Sequence, residues 1–363
     1  MAPTAIVWIT SYPSTQQEIP VKKTHVRIAA LLALVGIFVT SAQVTVAQQN
    51  VVIAYQAAPE WANTKEVMDK FQQATGIRVP IDNKNSGQAL TQLLAERNNP
   101  QADIGFNHGI TFAIKGAADG LYAPYKPKHW ADVPSDLKDP DGLWFTIYTG
   151  TIGFAVNKEA LGAGVPVPRS WDDLLKPIYR GKIGILDPSS AFVGYVACAA
   201  ANLAHGGTLD NWDPGVAYLK KLFDNAPMTP KQTSYARVVK GEIPIMIDYD
   251  FNAYRMRYDD KVDVEWVVPK EGTITVPYVA YLVKGAARVD NGKKFLDFLL
   301  DDPGQAAFAR GFVRPVRPSA MDAQTQAKFL PASEYARARA VDYRKMADAM
   351  TGFQNRYLKE VAR

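Results

Sequence analysis

Cysteine and histidine are scarce in this chain of 363 residues. The one cysteine, Cys198, excludes a disulfide within the chain, and the alanines around it favour a small core residue over a nucleophile. The histidines are His25, His108, His129 and His205, and so few make a histidine metal cluster implausible. We therefore predict that no metal and no cofactor is required.

The motifs of the common enzyme classes are also absent from the sequence. It contains no His-Glu-x-x-His, no Gly-x-Ser-x-Gly, no phosphate-binding Gly-Lys-Ser loop and no Cys-x-x-Cys. Catalysis of another kind would require paired groups with displaced pKa values, which a sequence does not display. A hydrolase or isomerase stays open as an alternative, but we predict that the protein is not an enzyme.

No apolar run reaches the roughly 20 residues of a membrane-spanning helix. The run Ile28–Val39 has twelve residues, all but one apolar, and follows the basic stretch Val21–Arg27, a pattern typical of a signal peptide. Small residues at Thr40–Ala42 and Thr45–Ala47 offer two cleavage sites, of which we favour the second. We therefore expect residues 1–47 to be an N-terminal extension and signal peptide, and the mature protein to be periplasmic. A membrane anchor is the alternative; a lipid anchor is not supported, because no cysteine follows the run.

A strong charge of either sign is missing as well. Without residues 1–47 the chain keeps 38 basic and 35 acidic residues, a formal charge of +3. The basic residues alternate with acidic ones, as between Arg257 and Asp263, and form no stripe that could follow a phosphate backbone. This pattern excludes a nucleic-acid partner.

Short apolar segments alternate with helical patterns at the start of the mature chain. Strands are predicted at Val51–Tyr55, Ile77–Ile81 and Ala102–Phe106, with helices at Asn63–Ala74 and Gln88–Arg97 between them. Strands separated by helices in this way are typical of an α/β fold with a parallel sheet.

The pattern changes near residue 150 and returns near residue 275. We interpret the change as a second α/β lobe inserted into the first, with lobe 1 at residues 48–150 and 277–363 and lobe 2 at residues 151–276. The stretch from Glu334 to the C-terminus has helical composition and is expected to pack on lobe 1. Further strands and helices are predicted at Thr146–Val156, Lys182–Leu186, Ala191–Ala204, Ile243–Asp248, Val262–Val268, Val276–Val283, Asn291–Leu300 and Gly304–Ala309.

Eight segments matter by their order and spacing along the chain. They are Tyr148–Ala160, Pro168–Leu174, Tyr179–Ile183, Gly241–Glu242, Pro269–Gly272, Lys284–Ala286, Phe295–Leu300 and Gln305–Arg310. Together they resemble the solute-binding proteins of ABC transporters, in the branch with ferric-iron, thiamine, polyamine and phosphonate binders. The resemblance implies a two-lobe periplasmic-binding-protein fold of type II, with two β crossovers and a ligand cleft that closes by hinge bending. It also implies a monomer that captures a small-molecule solute and delivers it to the membrane permease of the importer.

Two strand-to-helix junctions are candidates for holding an anion. In α/β sheets, ligands lie at the carboxyl ends of strands, where helix N-termini present N–H groups and partial positive charge. One junction contains Asn85, Ser86 and Gly87, and the other contains Ser189, Ser190 and Ala191. Plain helix capping is the alternative, because Ser and Asn are preferred cap residues.

Other candidates follow the predicted strands. Asn107 and His108 follow the third strand at its carboxyl end, and Trp61 follows the first, where an aromatic ring could cover a ligand. Thr149 lies on the expected first crossover, where a small residue lets a ligand approach the backbone. Each of these residues could equally be structural.

The ligand class is approached by comparison with branches of the family. Ferric-iron members carry adjacent tyrosines after the strand that corresponds to Ile243–Ile247, where this chain has Asp248 and Asp250. Polyamine members place an aromatic and an aspartate near the position of Tyr278, and the aspartate is missing here. We predict an anionic or zwitterionic organic solute, a phosphonate, phosphate ester or carboxylate, with an aspartate near its amine. Polyamine or iron binding, and ligand sensing for a membrane receptor, remain alternatives.

Overall fold

The computed structural model describes residues 50–230 and 234–362. The predicted signal peptide lies outside the described residues.

The described chain alternates strands with helices. The strands are β1 Ala54–Tyr55, β2 Ile104–Gly109, β3 Tyr122–Ala123, β4 Phe145–Asn157, β5 Ile183–Ile185, β6 Ile245–Tyr249, β7 Val264–Val267, β8 Thr273–Val283, β9 Arg314–Pro315 and β10 Ala338–Arg339. The α-helices are α1 Thr64–Thr75, α2 Ser86–Ala95, α3 Ile110–Ala118, α4 Lys158–Leu161, α5 Phe192–Ala204, α6 Asp213–Asp224, α7 Tyr235–Val239, α8 Asp250–Tyr258, α9 Val289–Leu300, α10 Asp302–Arg310, α11 Ala323–Gln326, α12 Ala332–Tyr335 and α13 Tyr343–Glu360. Short 3₁₀ helices lie at Trp61–Asn63, Trp130–Asp132, Ser135–Leu137, Asp172–Leu175, Pro177–Tyr179 and Pro318–Ala320.

Helix α1 forms because its sequence provides one apolar face and a glycine at its C-terminal end. In α1, Val67, Met68 and Phe71 recur at helical spacing and are all buried, which gives the helix one apolar face. Gly76 ends it with a left-handed backbone at φ +71°, a conformation that glycine adopts without steric cost. The predicted helix is therefore confirmed to within one residue at its end.

Two long strands, β4 and β8, run antiparallel at the centre of the sheet. Phe145 pairs with Ala280 at one end of their contact, and Thr151 pairs with Thr275 at the other. The strand order is β1-β2-β8-β4-β6-β5, with β3 and β10 also on β8 and β7 and β9 also on β4. The first half of β4 thus pairs with β8 and β9, and its second half pairs with β6 and β7.

The expected parallel sheet is only partly correct. The pairs β1 with β2, β5 with β6 and β10 with β8 are parallel, whereas the pairings of β4 and β8 with each other and with β2, β3, β6 and β7 are antiparallel. The alternation of strands and helices predicts only how consecutive strands are connected. The two central strands are far apart in the sequence, so this pattern did not predict that they pair antiparallel. The predicted strand at Ile77–Ile81 is reduced to one isolated bridge, from Arg78 to Val51, and a second bridge joins Asn83 beyond it to Gln56.

The C-terminal helix α13 contacts more of the molecule than expected. Its residue Met350 lies 3.5 Å from the Thr111 hydroxyl of α3, while the Tyr195 hydroxyl of α5 donates to the Met346 carbonyl at 2.6 Å. Its Phe353 ring packs 4.3 Å from the Trp212 ring, just before α6. The expected packing on lobe 1 is present at the contact with α3, and the same helix also packs on α5 and Trp212 of the predicted lobe 2.

We expect Phe71→Ala to destabilise the fold strongly. The ring is fully buried and packs at 4.7 Å and 5.6 Å against the rings of Phe295 and Phe298, so its loss leaves a cavity costing about 3–5 kcal/mol. The measurement is urea unfolding followed by circular dichroism. Ile81→Ala is the control, because Ile81 is 59% exposed, and its unfolding midpoint should stay near the wild-type value. Equal effects of the two variants would contradict this packing.

Candidate functional site

A small internal cavity lies where the segment after β1, the start of α2, strand β2, the start of α5 and strand β8 meet. Its volume is about 60 Å³. Five of the residues predicted for the ligand site line it, together with seven others. The predicted ones are Trp61, Ser86, Asn107, Ala191 and Tyr278, and the others are Ala57, Ala58, Asn83, Asn85, Leu186, Phe192 and Val193.

The two predicted junctions differ in whether a side chain accepts a hydrogen bond from the N–H groups at the start of the helix. At α2, the Asn85 side chain accepts from the Gln88 amide at 2.9 Å, and the Gln88 side chain accepts from the Asn85 amide at 3.0 Å, which makes a capping box. The capping alternative is therefore confirmed for Asn85. At α5, by contrast, the cap residue Ala191 has no side chain that accepts a hydrogen bond.

The uncapped end of α5 gives the cavity its positive character. The first N–H groups of any α-helix lack partners within the helix and carry partial positive charge. Here Ala191, Phe192 and Val193 all line the cavity. The start of α5 is therefore suited to an anionic group.

The two junctions also contact each other. A Cβ atom placed on Gly87 would lie 2.6 Å from the Ser190 carbonyl oxygen, and one placed on Gly109 would lie 2.0 Å from the Phe192 ring. Glycine is therefore needed at both positions for the walls to approach this closely. The two junctions are therefore packed directly against each other, with the Phe192 ring at Gly109.

Asn107 contributes an acceptor to the same cavity. The Thr64 hydroxyl donates to the Trp61 carbonyl at 2.5 Å, so its oxygen must accept from the Asn107 side-chain nitrogen, at 2.6 Å. This contact fixes the orientation of the amide. Asn107 is 2% exposed, and its Oδ1 has no partner within the described residues. A buried acceptor of this kind calls for a donor, which a ligand amine can supply.

Aromatic rings form one wall of the cavity. Trp61 packs 5.8 Å from Tyr278, and its Nε1 donates to the Tyr148 hydroxyl at 3.1 Å. Tyr278 in turn lies 5.5 Å from Tyr249. Burial raises the pKa of each of the phenols Tyr148, Tyr249 and Tyr278 well above the ordinary value of a tyrosine, so all three stay neutral.

Three predicted residues lie in a second groove beside the cavity. Gly87, Ser189 and Ser190 line it together with Lys84 and Lys115, and its volume is about 730 Å³. The Ser189 hydroxyl is used internally, since it donates to Asp187 at 2.6 Å. Lys84 is paired with Asp82, so Lys115 is the lysine that places positive charge in this groove.

The remaining predicted residues are outside both sets of lining residues. His108 is buried, shares a hydrogen bond of 2.8 Å with Tyr281, and has a pKa lowered by burial to about 3, so it is neutral. Thr149 pairs with Pro277 in the sheet. A ligand role for these residues stays a prediction.

The two aspartates are held in internal networks. Asp248 accepts from the Tyr249 amide at 2.7 Å and from Asn252 at 2.9 Å. Asp250 pairs with Arg314 and accepts from the Thr151 amide at 3.1 Å. Neither lines the cavity, and their ligand role also stays a prediction.

The lining residues that sequence analysis missed are mostly apolar. Phe192 and Val193 directly follow the predicted Ala191, so their position at the start of the Ala-rich helix was the available signal. Leu186, Ala57 and Ala58 carried no chemical signal, because their types do not distinguish a ligand wall from a core.

The described residues offer neither a metal site nor a membrane-spanning helix. Residues 50–230 and 234–362 contain no cluster of three or more His, Cys, Asp or Glu that could hold a metal ion. None of the helices in that part of the chain is long and apolar enough to cross a membrane.

Comparison with known proteins bears on the fold and on the family. Among solved structures, the protein resembles the periplasmic binding protein AfuA of Actinobacillus pleuropneumoniae, solved with fructose-6-phosphate bound, at a TM-score of 0.76 and 25% identity over 86% of this chain and 98% of that one. It also resembles iron-bound HitA of Pseudomonas aeruginosa at a TM-score of 0.67 and 20% identity, covering 84% of this chain and 98% of that one. These likenesses confirm the two-lobe binding-protein fold.

The sequence comparisons give the family. Residues 99–349 match the model of the bacterial extracellular solute-binding proteins. The chain is also 30% identical over 278 residues to a Salmonella typhimurium protein that carries the proposed name of a 2-aminoethylphosphonate-binding periplasmic protein. The match covers 70% of this chain and 79% of that protein. The chain belongs to the bacterial extracellular solute-binding protein family, and it is a solute-binding protein of the ABC-transporter class.

Asp248 should make the stability of the protein depend on pH. Burial raises the pKa of its carboxyl from 3.8 to about 7, so between these values the folded state binds more protons than the unfolded state. Stability from this group is therefore lost as the pH rises from about 4 to 7, by on the order of 4 kcal/mol. We expect Asp248→Asn to reduce that loss, as measured by urea unfolding at pH 5 and pH 7.5. An unchanged dependence in the variant would contradict this origin.

Proposed function

We propose that this protein is the periplasmic substrate-binding component of an ABC importer for a small zwitterionic or anionic organic solute that carries a phosphonate, phosphate ester or carboxylate. The observation that carries the proposal is the uncapped start of α5 in the cavity. Export by the signal peptide, function as a monomer, delivery to a membrane permease and absence of catalysis are parts of the same proposal. We also propose the lobe bounds at residues 48–150 with 277–363 and 151–276, which the division of β4 between two groups of strands supports.

The cavity lining contains two groups of opposite preference. The start of α5 offers backbone donors and partial positive charge, and Asn107 offers an acceptor that has no donor among the described residues. A solute with an anionic group at one end and an amine at the other satisfies both. The name of the Salmonella typhimurium relative, which specifies an aminoalkyl phosphonate, supports this class of solute.

Size supports a compact solute. At about 60 Å³ the cavity is small beside the roughly 300–1,000 Å³ usual for ligand sites, so we expect its walls to move apart when a solute binds. A two-carbon aminophosphonate requires a smaller displacement than a hexose phosphate. The lining residues also disfavour the alternatives, because they offer no carboxylate to putrescine and a single phenol, Tyr278, to iron.

The direct experiment is calorimetric titration of the protein with 2-aminoethylphosphonate, fructose 6-phosphate, putrescine and ferric citrate. We expect the first compound to bind most tightly. Tightest binding of putrescine or iron would contradict the proposal while leaving a transport role, and failure of all four would favour an untested solute or a sensing role.

The anion end is tested by Ala191→Asp. The new carboxylate can cap α5, which stabilises a helix by about 1 kcal/mol, but it occupies and repels the position of the ligand anion. We expect at least a hundredfold loss of affinity for 2-aminoethylphosphonate with no loss of melting temperature. Ala191→Asn is the matched control, because it caps without a charge and should bind more tightly than the aspartate variant. Equal affinities of the two variants would place the anion elsewhere.

The amine end is tested by Asn107→Leu and a pair of ligands. Loss of one hydrogen bond to a charged amine costs about 1.5–3 kcal/mol, so affinity for 2-aminoethylphosphonate should fall by roughly tenfold or more. Ethylphosphonate lacks the amine, and its affinity should change much less. Titration of both ligands with both proteins gives the comparison, and equal losses would show a general distortion instead. A melting curve checks that the variant is folded, since the residue at position 107 adopts φ +60°, which asparagine tolerates better than leucine.

A further inference from the structure

A large groove lies away from the cavity, between β7 and α8 on one side and residues 327–337 on the other. Its volume is about 760 Å³, and it shares no lining residue with the cavity. Two hydrogen bonds hold its sides together: the Tyr258 hydroxyl donates to the Lys328 carbonyl at 3.0 Å, and the Leu330 amide donates to the Tyr254 hydroxyl at 2.9 Å. We refer to it as the basic groove.

Positive charge is concentrated in the basic groove. Six basic and two acidic side chains line it, whereas the whole chain has an excess of only five positive charges. Half of the basic side chains are paired with carboxylates. The other three, Arg257, Lys270 and Lys328, have no carboxylate within 4 Å among the described residues. The groove therefore holds charge that the protein itself does not neutralise.

Two further donors in the groove wall are unused. Trp266 is 4% exposed, and its Nε1 has no hydrogen-bond partner in the described part of the chain. The Nε of Arg337 likewise has none, although the same side chain pairs with Glu334. Buried donors are normally satisfied, so these two indicate that an acceptor-rich molecule belongs here.

We propose that the basic groove is a second anion-binding site, which takes a small multivalent organic anion such as a polycarboxylate. Its volume lies within the range of about 300–1,000 Å³ that is usual for small-molecule sites. Its free groups are cations and donors, which match carboxylate oxygens. The rings of Tyr254, Tyr258 and Phe329 add apolar surface for the carbon skeleton. This proposal does not depend on the solute proposed for the cavity.

Citrate is the probe, titrated into the full chain by calorimetry at low ionic strength. We expect one citrate to bind. The double variant Arg257→Glu with Lys270→Glu should weaken binding at least tenfold. Its matched control is Lys221→Glu with Lys240→Glu, which makes the same change of net charge at exposed lysines outside the groove and should change the affinity less than twofold.

Two more variants locate the citrate. Trp266→Phe keeps an aromatic ring and removes the N–H, and we expect it to weaken binding severalfold. Ala191→Asp in the cavity should leave citrate binding unchanged. The groove variants should leave 2-aminoethylphosphonate binding unchanged, so failure of the cavity proposal and failure of this one can be told apart.

Four outcomes would overturn the groove proposal. They are absence of citrate binding, equal weakening by both double variants, loss of citrate binding in Ala191→Asp, and binding of hexaglutamate peptide without citrate, which would identify a surface for an acidic protein instead.

Discussion

The antiparallel pairing of β4 with β8 is the constraint on which the rest of the structure depends. Every other strand of the sheet is joined to one of these two strands or to a neighbour that is. Side chains reinforce the pairing, because the Thr273 hydroxyl donates to the Ile152 carbonyl at 2.8 Å and the hydroxyls of Thr151 and Thr275 lie 2.8 Å apart. The same strands carry Tyr148 and Tyr278, so the aromatic wall of the cavity is positioned by the centre of the sheet. A hinge motion about these strands would leave that wall in place while the two junctions separate.

Two helix starts line the cavity, and a side chain caps the start of α2 but not the start of α5. At α2 the capping box uses the donors internally, which makes that junction a rigid wall. At α5 no side chain caps the helix, and the contact of Asn107 with Thr64 leaves Oδ1 without a partner among the described residues. In the proposed function a ligand satisfies these groups, and its binding then gains the free energy of the hydrogen bonds that they form. Preorganisation of this kind favours affinity for a solute of matching charge at each end.

Much of the fold could be predicted from the sequence, because helical spacing and apolar runs are local. Phe71 and its neighbours on α1 gave the helix, and the long extended run gave β4. The antiparallel centre could not be read in the same way, since the pairing of Phe145 with Ala280 joins residues that no local pattern connects. Residues of the candidate site could likewise be predicted only where a local pattern marked them. Ser86, Asn107 and Ala191 were identified from their positions at strand ends, whereas Phe192 was missed because an apolar residue at a helix start is equally typical of a core.

The location of the bound solute tests the central claim most directly. A crystal structure with 2-aminoethylphosphonate should place phosphonate oxygens about 3 Å from the amides of Phe192 and Val193, and the amine about 3 Å from Asn107 Oδ1. Phe192 should be displaced from Gly109 to make room. A ligand bound in the reverse orientation, or bound outside the cavity with α5 still uncapped, would contradict the account.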